Sequence, residues 1–191
     1  SHLVKEALLH IVRDTGLKVA APQGKEQWAR LAQQLGMKVV HIAERDTQVS
    51  KTPKRVGEFV NTWSVGGFIG EGSQPAELGW GAHEKHLPPD GQQHDFGCRQ
   101  GPIHGFLITH GESISIADYF TVKQGEQVVS RPTVHYAYHP CDAAVMSIHE
   151  LAGRNWQPQS DWRIINDDIS SGVDELGVLI AGHARNAYWY G

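Results

Sequence analysis

The segment from Phe59 to Gly81, FVNTWSVGGFIGEGSQPAELGWG, constrains most strongly what this chain can fold into. Trp63, Trp80, Glu71, Glu77 and Asn61 are interleaved there with Gly66, Gly67, Gly70, Gly72, Gly79 and Gly81. A core element would be more evenly apolar, and a solvated loop would hold less tryptophan, so the mixture reads as the lining of a small pocket. Ser64 is placed to cap a helix, yet each interior glycine costs such a helix about 1 kcal/mol relative to alanine. So many glycines point to close approach of the backbone to a neighbour or ligand. Aromatic faces beside carboxylates suit a small cation.

The rest of the chain is consistent with a cationic ligand. A chain of 191 residues forms one domain with a sizeable core, burying about 70% of its unfolded surface. The formal charge of -4, from 17 basic and 21 acidic residues, and a longest basic run of only Lys51 to Arg55 argue against a nucleic-acid surface. No apolar run of membrane-spanning length and no charged-then-apolar leader is present, so a soluble, cytoplasmic protein is expected, with no membrane partner. Cys98 and Cys141 cannot build a disulfide framework, which agrees with a reducing compartment.

Hydrophobic periodicity predicts helices over 3–14 and 25–35, each closed by a glycine, Gly16 and Gly36. A strand is expected over 38–43, then a polar loop from Glu44 to Lys54, then a strand over 58–63. Residues 82–105 read as an irregular loop. The period then switches to two, predicting strands over 105–109, 113–123 and 128–138, the last two joined by a turn at 124–126. A helix follows Pro140, and strands are expected over 162–165, 176–181 and 186–190. Helices in front and paired strands behind give an α+β domain on a largely antiparallel open sheet.

Several groups carry chemistry. His110 and Glu112, two apart at an expected strand end, would share a face, and a carboxylate beside an imidazole raises its pKa and orients it. That pairing serves a proton shuttle, an amine site or a structural hydrogen bond equally well. The run His135 to Asp142 holds zinc-ligand types, but in a strand His135 and His139 stand about 13 Å apart, too far to share one ion. No metal site is expected, and Tyr136 and Tyr138 should face away from these histidines. No G-x-G-x-x-G occurs, and GGFIGEG at 66–72 has the wrong spacing for a dinucleotide. G-x-S-x-G is absent too.

Taken together, HIAERDTQ at 41–48, FVNTWS at 59–64, EGSQPAELGWG at 71–81, HGESISIADY at 110–119, RPTVHYAYHPCD at 131–142 and DELGVLIAGH at 174–183 resemble the bacterial homospermidine synthases, in order over nearly the whole chain. The resemblance implies an enzyme with tightly held NAD that oxidises putrescine to an imine and releases ammonia. It condenses the product with a second putrescine, or takes the aminobutyl group from spermidine, and reduces the new imine. It further implies a two-domain homodimer whose Rossmann domain precedes the part seen here. Residues 1–191 are then one catalytic, substrate-binding and dimerisation domain, with helices and a strand adjoining the Rossmann domain over 1–44. By the same resemblance Trp63 is the catalytic tryptophan, Glu44 and Glu71 grip the ammonium groups, His110 and Glu112 stand near the reacting amine, and Asp174 lies at the outer amine site. Asn61 is assigned with Asp174 to substrate binding. Two departures stand out: the glycine-rich fingerprint of the family is missing, and the region from Cys98 to Gly105 is shorter than the family pattern. A non-catalytic polyamine-binding module remains an alternative, as does a carboxyspermidine or saccharopine-type reductase, for whose substrate carboxylate Arg131 and Arg163 are the candidate clamps.

Overall fold

The computed structural model describes residues 2–85, 93–98, 101–184 and 187–191, with 93–98 and 101–104 described as backbone. Two amphipathic helices lead the chain, α1 (His2–Thr15) and α2 (Lys25–Gln34), with Val4, Leu8, Ile11 and Leu31 turned inward. Gly36 ends α2 in the left-handed region at φ 65°, and a Cβ there would meet the His183 carbonyl oxygen at 2.0 Å. Only glycine satisfies both demands. It delivers the chain into β1 (Met37–Asp46), three residues longer at its acidic end than the sequence predicts.

The main sheet takes its remaining strands from β4 (Gln93–Cys98), β5 (Gly101–Leu107), β8 (Thr133–His139), β11 (Asp174–Ala184) and β12 (Ala187–Tyr190), in the order β12-β11-β1-β8-β5-β4. Only β1 and β8 run parallel; the other four pairings are antiparallel. Smaller pairs complete the fold. β3 (Glu58–Asn61) lies parallel to β9 (Asp161–Ile164), β2 (Val49–Ser50) pairs with β10 (Ile169–Ser171), and β6 (Val122–Gln124) pairs with β7 (Gln127–Ser130). The expected α+β, largely antiparallel open sheet is therefore what forms. The irregular loop expected over 82–105 falls partly on 86–92 and 99–100, outside the described residues; of its described part, 82–85 are irregular as expected, and the rest is the β4–β5 pair.

Three local expectations are corrected. Residues 65–72 form a helix, α3 (Val65–Gly72), because Ser64 caps it, its Oγ accepting the Gly67 N–H at 3.0 Å, and because Val65 and Phe68 are buried. The glycines serve close approach here: a Cβ on Gly66 would lie 3.4 Å from the Trp162 ring, and one on Gly67 3.0 Å from the Trp63 ring. Residues 113–119, read as strand from the alternation Ser-Ile-Ser-Ile, belong to α4 (Gly111–Tyr119). Its buried residues Ser113, Ile116 and Ala117 follow helical spacing, and Phe120 continues the stripe. The expected strand over 128–138 is two strands, β7 and β8, since β7 closes a separate hairpin with β6. The helix after Pro140 forms as expected, α5 (Asp142–Gly153).

One face of the main sheet carries α1 on β11 and α4 on β8, while α3 and α5 pack on β3. The register makes that face graded. Val40 stands beside Val134 and Ile180, Ile42 beside Tyr136 and Val178, Glu44 beside Tyr138 and Leu176, and Asp46 opposite Asp174. The inner rows are core. Towards the carboxyl ends of the parallel strands the same face turns acidic, which is where open sheets with parallel strands hold ligands.

Candidate functional site

Three carboxylates share that graded face, and strand alternation alone puts them together. Asp46 is 2% exposed; its Oδ2 accepts the Thr62 hydroxyl at 2.6 Å and its Oδ1 the Gln48 N–H at 2.8 Å. Glu44 Oε2 accepts the Tyr136 hydroxyl at 2.5 Å. Asp174 shares a side-chain hydrogen bond with Glu44, and its carboxyl is pushed up to about 6, by burial first and then by the charges on Glu44 and Asp46. Carboxylates held this close repel one another, so a cation placed among them relieves the repulsion.

Aromatic rings form the adjoining wall. Trp63, half-buried directly before α3, donates its indole N–H to the Tyr138 hydroxyl at 3.4 Å and meets Phe68 edge-on at 5.7 Å. Phe68 in turn meets Tyr138 at 5.9 Å. Glu71, at the end of α3, has its carboxyl pushed up by burial, with the His110 charge opposing and the Glu44 charge adding. Burial, the hydrogen bond to Glu44 and that carboxylate's charge hold the Tyr136 hydroxyl protonated. His110 precedes α4 as its N-cap and stacks on Tyr136 at 4.2 Å and 26°. Its Nδ1 is buried with no hydrogen-bond partner among the described residues.

Of the residues singled out in the sequence, Glu44, Trp63, Glu71, His110 and Asp174 thus meet in one place. Glu112 does not join them. The helix that replaces the expected strand turns positions two apart about 200° around its axis, and Glu112 is exposed in the first turn of α4. Asn61, at the end of β3, is fully buried, and both its amide nitrogen and oxygen lack partners among the described residues. It shares the strand face of Phe59. Sequence reasoning missed Asp46, Tyr136 and Tyr138 as site residues. The two tyrosines do face away from the histidines, as expected: His41 and His135 meet edge-on across the opposite sheet face at 4.3 Å.

Neither proposed arginine clamp is available. Arg131 is engaged by Asp118, the Trp80 carbonyl and Thr121. Arg163 is engaged by Glu58, Asp168 and the carbonyls of Thr52 and Pro53. The glycines of 66–72 form no nucleotide-binding turn: they lie within α3 itself, with Gly66 against the Trp162 ring and Gly67 against the Trp63 ring. No group of three or more His, Cys, Asp or Glu among the described residues could hold a metal ion. No helix among them is long and apolar enough to cross a membrane. A cavity of about 260 Å³ borders Phe68 and Tyr138, but its other walls, including Phe59, Phe106, Leu151 and Trp156, offer no carboxylate.

Known proteins resemble this chain over nearly its whole length. A homospermidine synthase of Blastochloris viridis is 50% identical over 213 residues, taking in all of this chain and 44% of that protein. One from Mesorhizobium japonicum is 46% identical over 215 residues, again covering all of this chain and 44% of the relative. The chain therefore spans less than half the length of these curated relatives. A crystal structure of the homospermidine synthase of Legionella pneumophila in complex with NAD superposes with a TM-score of 0.87 at 45% identity, over 99% of this chain and 45% of that one. The sequence model described as the saccharopine dehydrogenase C-terminal domain matches residues 1–191, and the chain belongs to that family.

Proposed function

We propose that this chain is the amine-binding part of a homospermidine synthase, which moves an aminobutyl group from putrescine or spermidine to putrescine through imine intermediates, with NAD as cofactor. The observation that carries the reading is the acidic end of the sheet face, where Glu44, Asp46 and Asp174 stand beside the Trp63–Phe68–Tyr138 wall. A diamine is a flexible dication, and a pocket with carboxylates at several points along an aromatic wall recognises that pattern. The names of the relatives agree with it.

Each residue has a share in the chemistry. Glu44 and Asp174 take one ammonium group, and Glu71 takes the other from the side of α3. The Trp63 indole stabilises a protonated imine across its face, an interaction worth about 2 kcal/mol once water is excluded. His110 holds or accepts a proton at its buried Nδ1, which has no hydrogen-bond partner among the described residues. Asn61 offers its amide to the bound substrate. The dinucleotide supplies hydride transfer and is held by the portion of the longer enzyme outside this chain. In that enzyme residues 1–191 form one catalytic, substrate-binding and dimerisation domain of a cytoplasmic homodimer.

The test uses the full-length enzyme. Trp63→Ala should lose most turnover with putrescine while Trp63→Phe keeps part; equal activity in the two contradicts the cation-stabilising role. Calorimetry with putrescine should show tighter binding when NAD is present. Binding that ignores NAD, together with no turnover, would leave a non-catalytic polyamine-binding module.

A further inference from the structure

We propose that Tyr138 is a positioning residue for the Trp63 indole: its hydroxyl, carried by the main sheet, selects one of the two ring orientations that α3 alone leaves open. That this orientation serves an imine rests on the amine-binding reading above; the orientation itself does not.

Helix α3 fixes where the indole sits but not how it is turned. Trp63 directly precedes the N-cap Ser64, and Phe68 is the fourth helical residue, the spacing of a hydrophobic staple. The two rings meet at 5.7 Å and 62°. Gly67 has no side chain, so the six-membered ring of the indole lies against it; a Cβ there would stand 3.0 Å from Trp63 Cζ3. These contacts hold the ring near the helix. They do not choose its orientation, because the torsion joining Cβ to an aromatic ring has broad, roughly two-fold wells. Packing from behind does not choose it either: the cavity of about 260 Å³ borders Phe68 and Tyr138, so this wall has space on one side.

A directional bond makes the choice. An indole N–H is a donor only, whereas a phenol oxygen accepts and donates at once. Trp63 Nε1 donates to the Tyr138 hydroxyl at 3.4 Å. Tyr138 is 2% exposed, meets Phe68 edge-on at 5.9 Å and stands beside Glu44 in the β1–β8 register. Burial keeps its hydroxyl protonated, so the acceptor stays neutral. The bond therefore ties an indole borne by α3 to the strand row that carries Glu44. A half-turn of the ring would break it and carry the six-membered ring across the Cβ–Cγ axis, changing which part of the π face meets a cation.

The test uses the full-length protein with isotope-labelled tryptophan, the Trp63 signal being identified by its loss in Trp63→Phe. In the wild type this indole N–H should give one NMR signal and exchange slowly with solvent. Tyr138→Phe keeps the ring and removes the acceptor, so the signal should move or split and exchange about tenfold faster, the scale of one neutral hydrogen bond. With putrescine, kcat should fall about fivefold while KM changes by less than about twofold. The Trp63→Phe background has no N–H to hold, so adding Tyr138→Phe there should cost less than about twofold more. Equal losses in the two backgrounds, or an unmoved Trp63 signal, overturns the inference. Should Tyr138→Phe fail to fold, a wild-type N–H that exchanges as fast as a free indole overturns it, and slow exchange that is lost in Gly67→Ala supports it. A wild-type protein that turns over no putrescine ends the amine-binding reading, while the Trp63 signal still decides the role of Tyr138.

Discussion

At the scale of single residues, the Asp174 carboxyl makes the site responsive to pH. Burial and the charges of Glu44 and Asp46 raise it from 3.8 to about 6. Between those values the folded protein holds a proton that the unfolded chain has released, so the empty protein loses stability as pH rises through this window. Binding runs the other way. Alkylammonium groups titrate near about 10, so a diamine stays doubly charged while Asp174 ionises to meet it. Putrescine should therefore bind the full-length protein more tightly at pH 7 than at pH 5, with proton release at the lower pH, and Asp174→Asn should flatten the profile. Calorimetry in buffers of different ionisation enthalpy measures both, and a pH-independent affinity in the wild type would refute the argument. Charged and aromatic types in odd company made Trp63 and Glu71 legible in the sequence, and His110 stood out beside Glu112, whereas Glu44 and Asp174 were legible only through the family resemblance. Tyr136, Tyr138 and Asp46 were not, because ordinary strand residues become site residues only through the pairing of β1 with β8 and β11.

At the scale of elements, β3 is the platform from which Trp63 and α3 project, and a buried charge pins it. Glu58 is 1% exposed and held at about 2, first by the Arg163 guanidinium bonded to it at 2.8 Å and further by the Arg55 N–H. A carboxylate depressed in the folded state contributes stability that is present above its ordinary value of 4.5 and lost as pH falls towards about 2. Thermal melts from neutral pH to pH 2 should show that loss, and Glu58→Gln should be less stable at pH 7 yet lose less between pH 4.5 and 2. Equal slopes in both proteins would remove Glu58 from the account. Helix α4 makes the complementary point. A Cβ on Gly79 would sit 2.2 Å from the Ser113 carbonyl oxygen and 2.4 Å from the Ala117 Cβ, so Gly79→Ala should cost about 1–3 kcal/mol in denaturant unfolding and displace His110 with the helix start. An unchanged midpoint would show that α4 can shift freely. The long helices and most strands were legible because their apolar spacing is unambiguous. Residues 113–119 were not: two isoleucines alternating with serines match a strand, and only the close contact with Gly79, more than thirty residues earlier, selects the helix.

At the scale of the whole molecule, one sheet face serves as core at one end and as amine site at the other, with no boundary between them but the change from Val40 and Ile42 to Glu44 and Asp46 along a single strand. The site is thus anchored by the same rows that hold the fold together, and the β1–β11 register fixes the backbone positions from which its carboxylates project. Gly66 and Gly67 lie inside α3 against the Trp162 and Trp63 rings, and the relatives are more than twice as long as this chain. Amine recognition and dinucleotide recognition should accordingly separate under mutation. In the full-length protein Glu44→Gln removes a charge from the middle of the carboxylate row while keeping its shape. It should weaken putrescine binding by about tenfold or more, the scale of a charged hydrogen bond, and leave the affinity for NAD measured without amine unchanged within about twofold. Calorimetric titration of each ligand alone makes the comparison. A parallel loss of both affinities would mean that the acidic face also contacts the dinucleotide, and that the two recognitions are built from one set of residues.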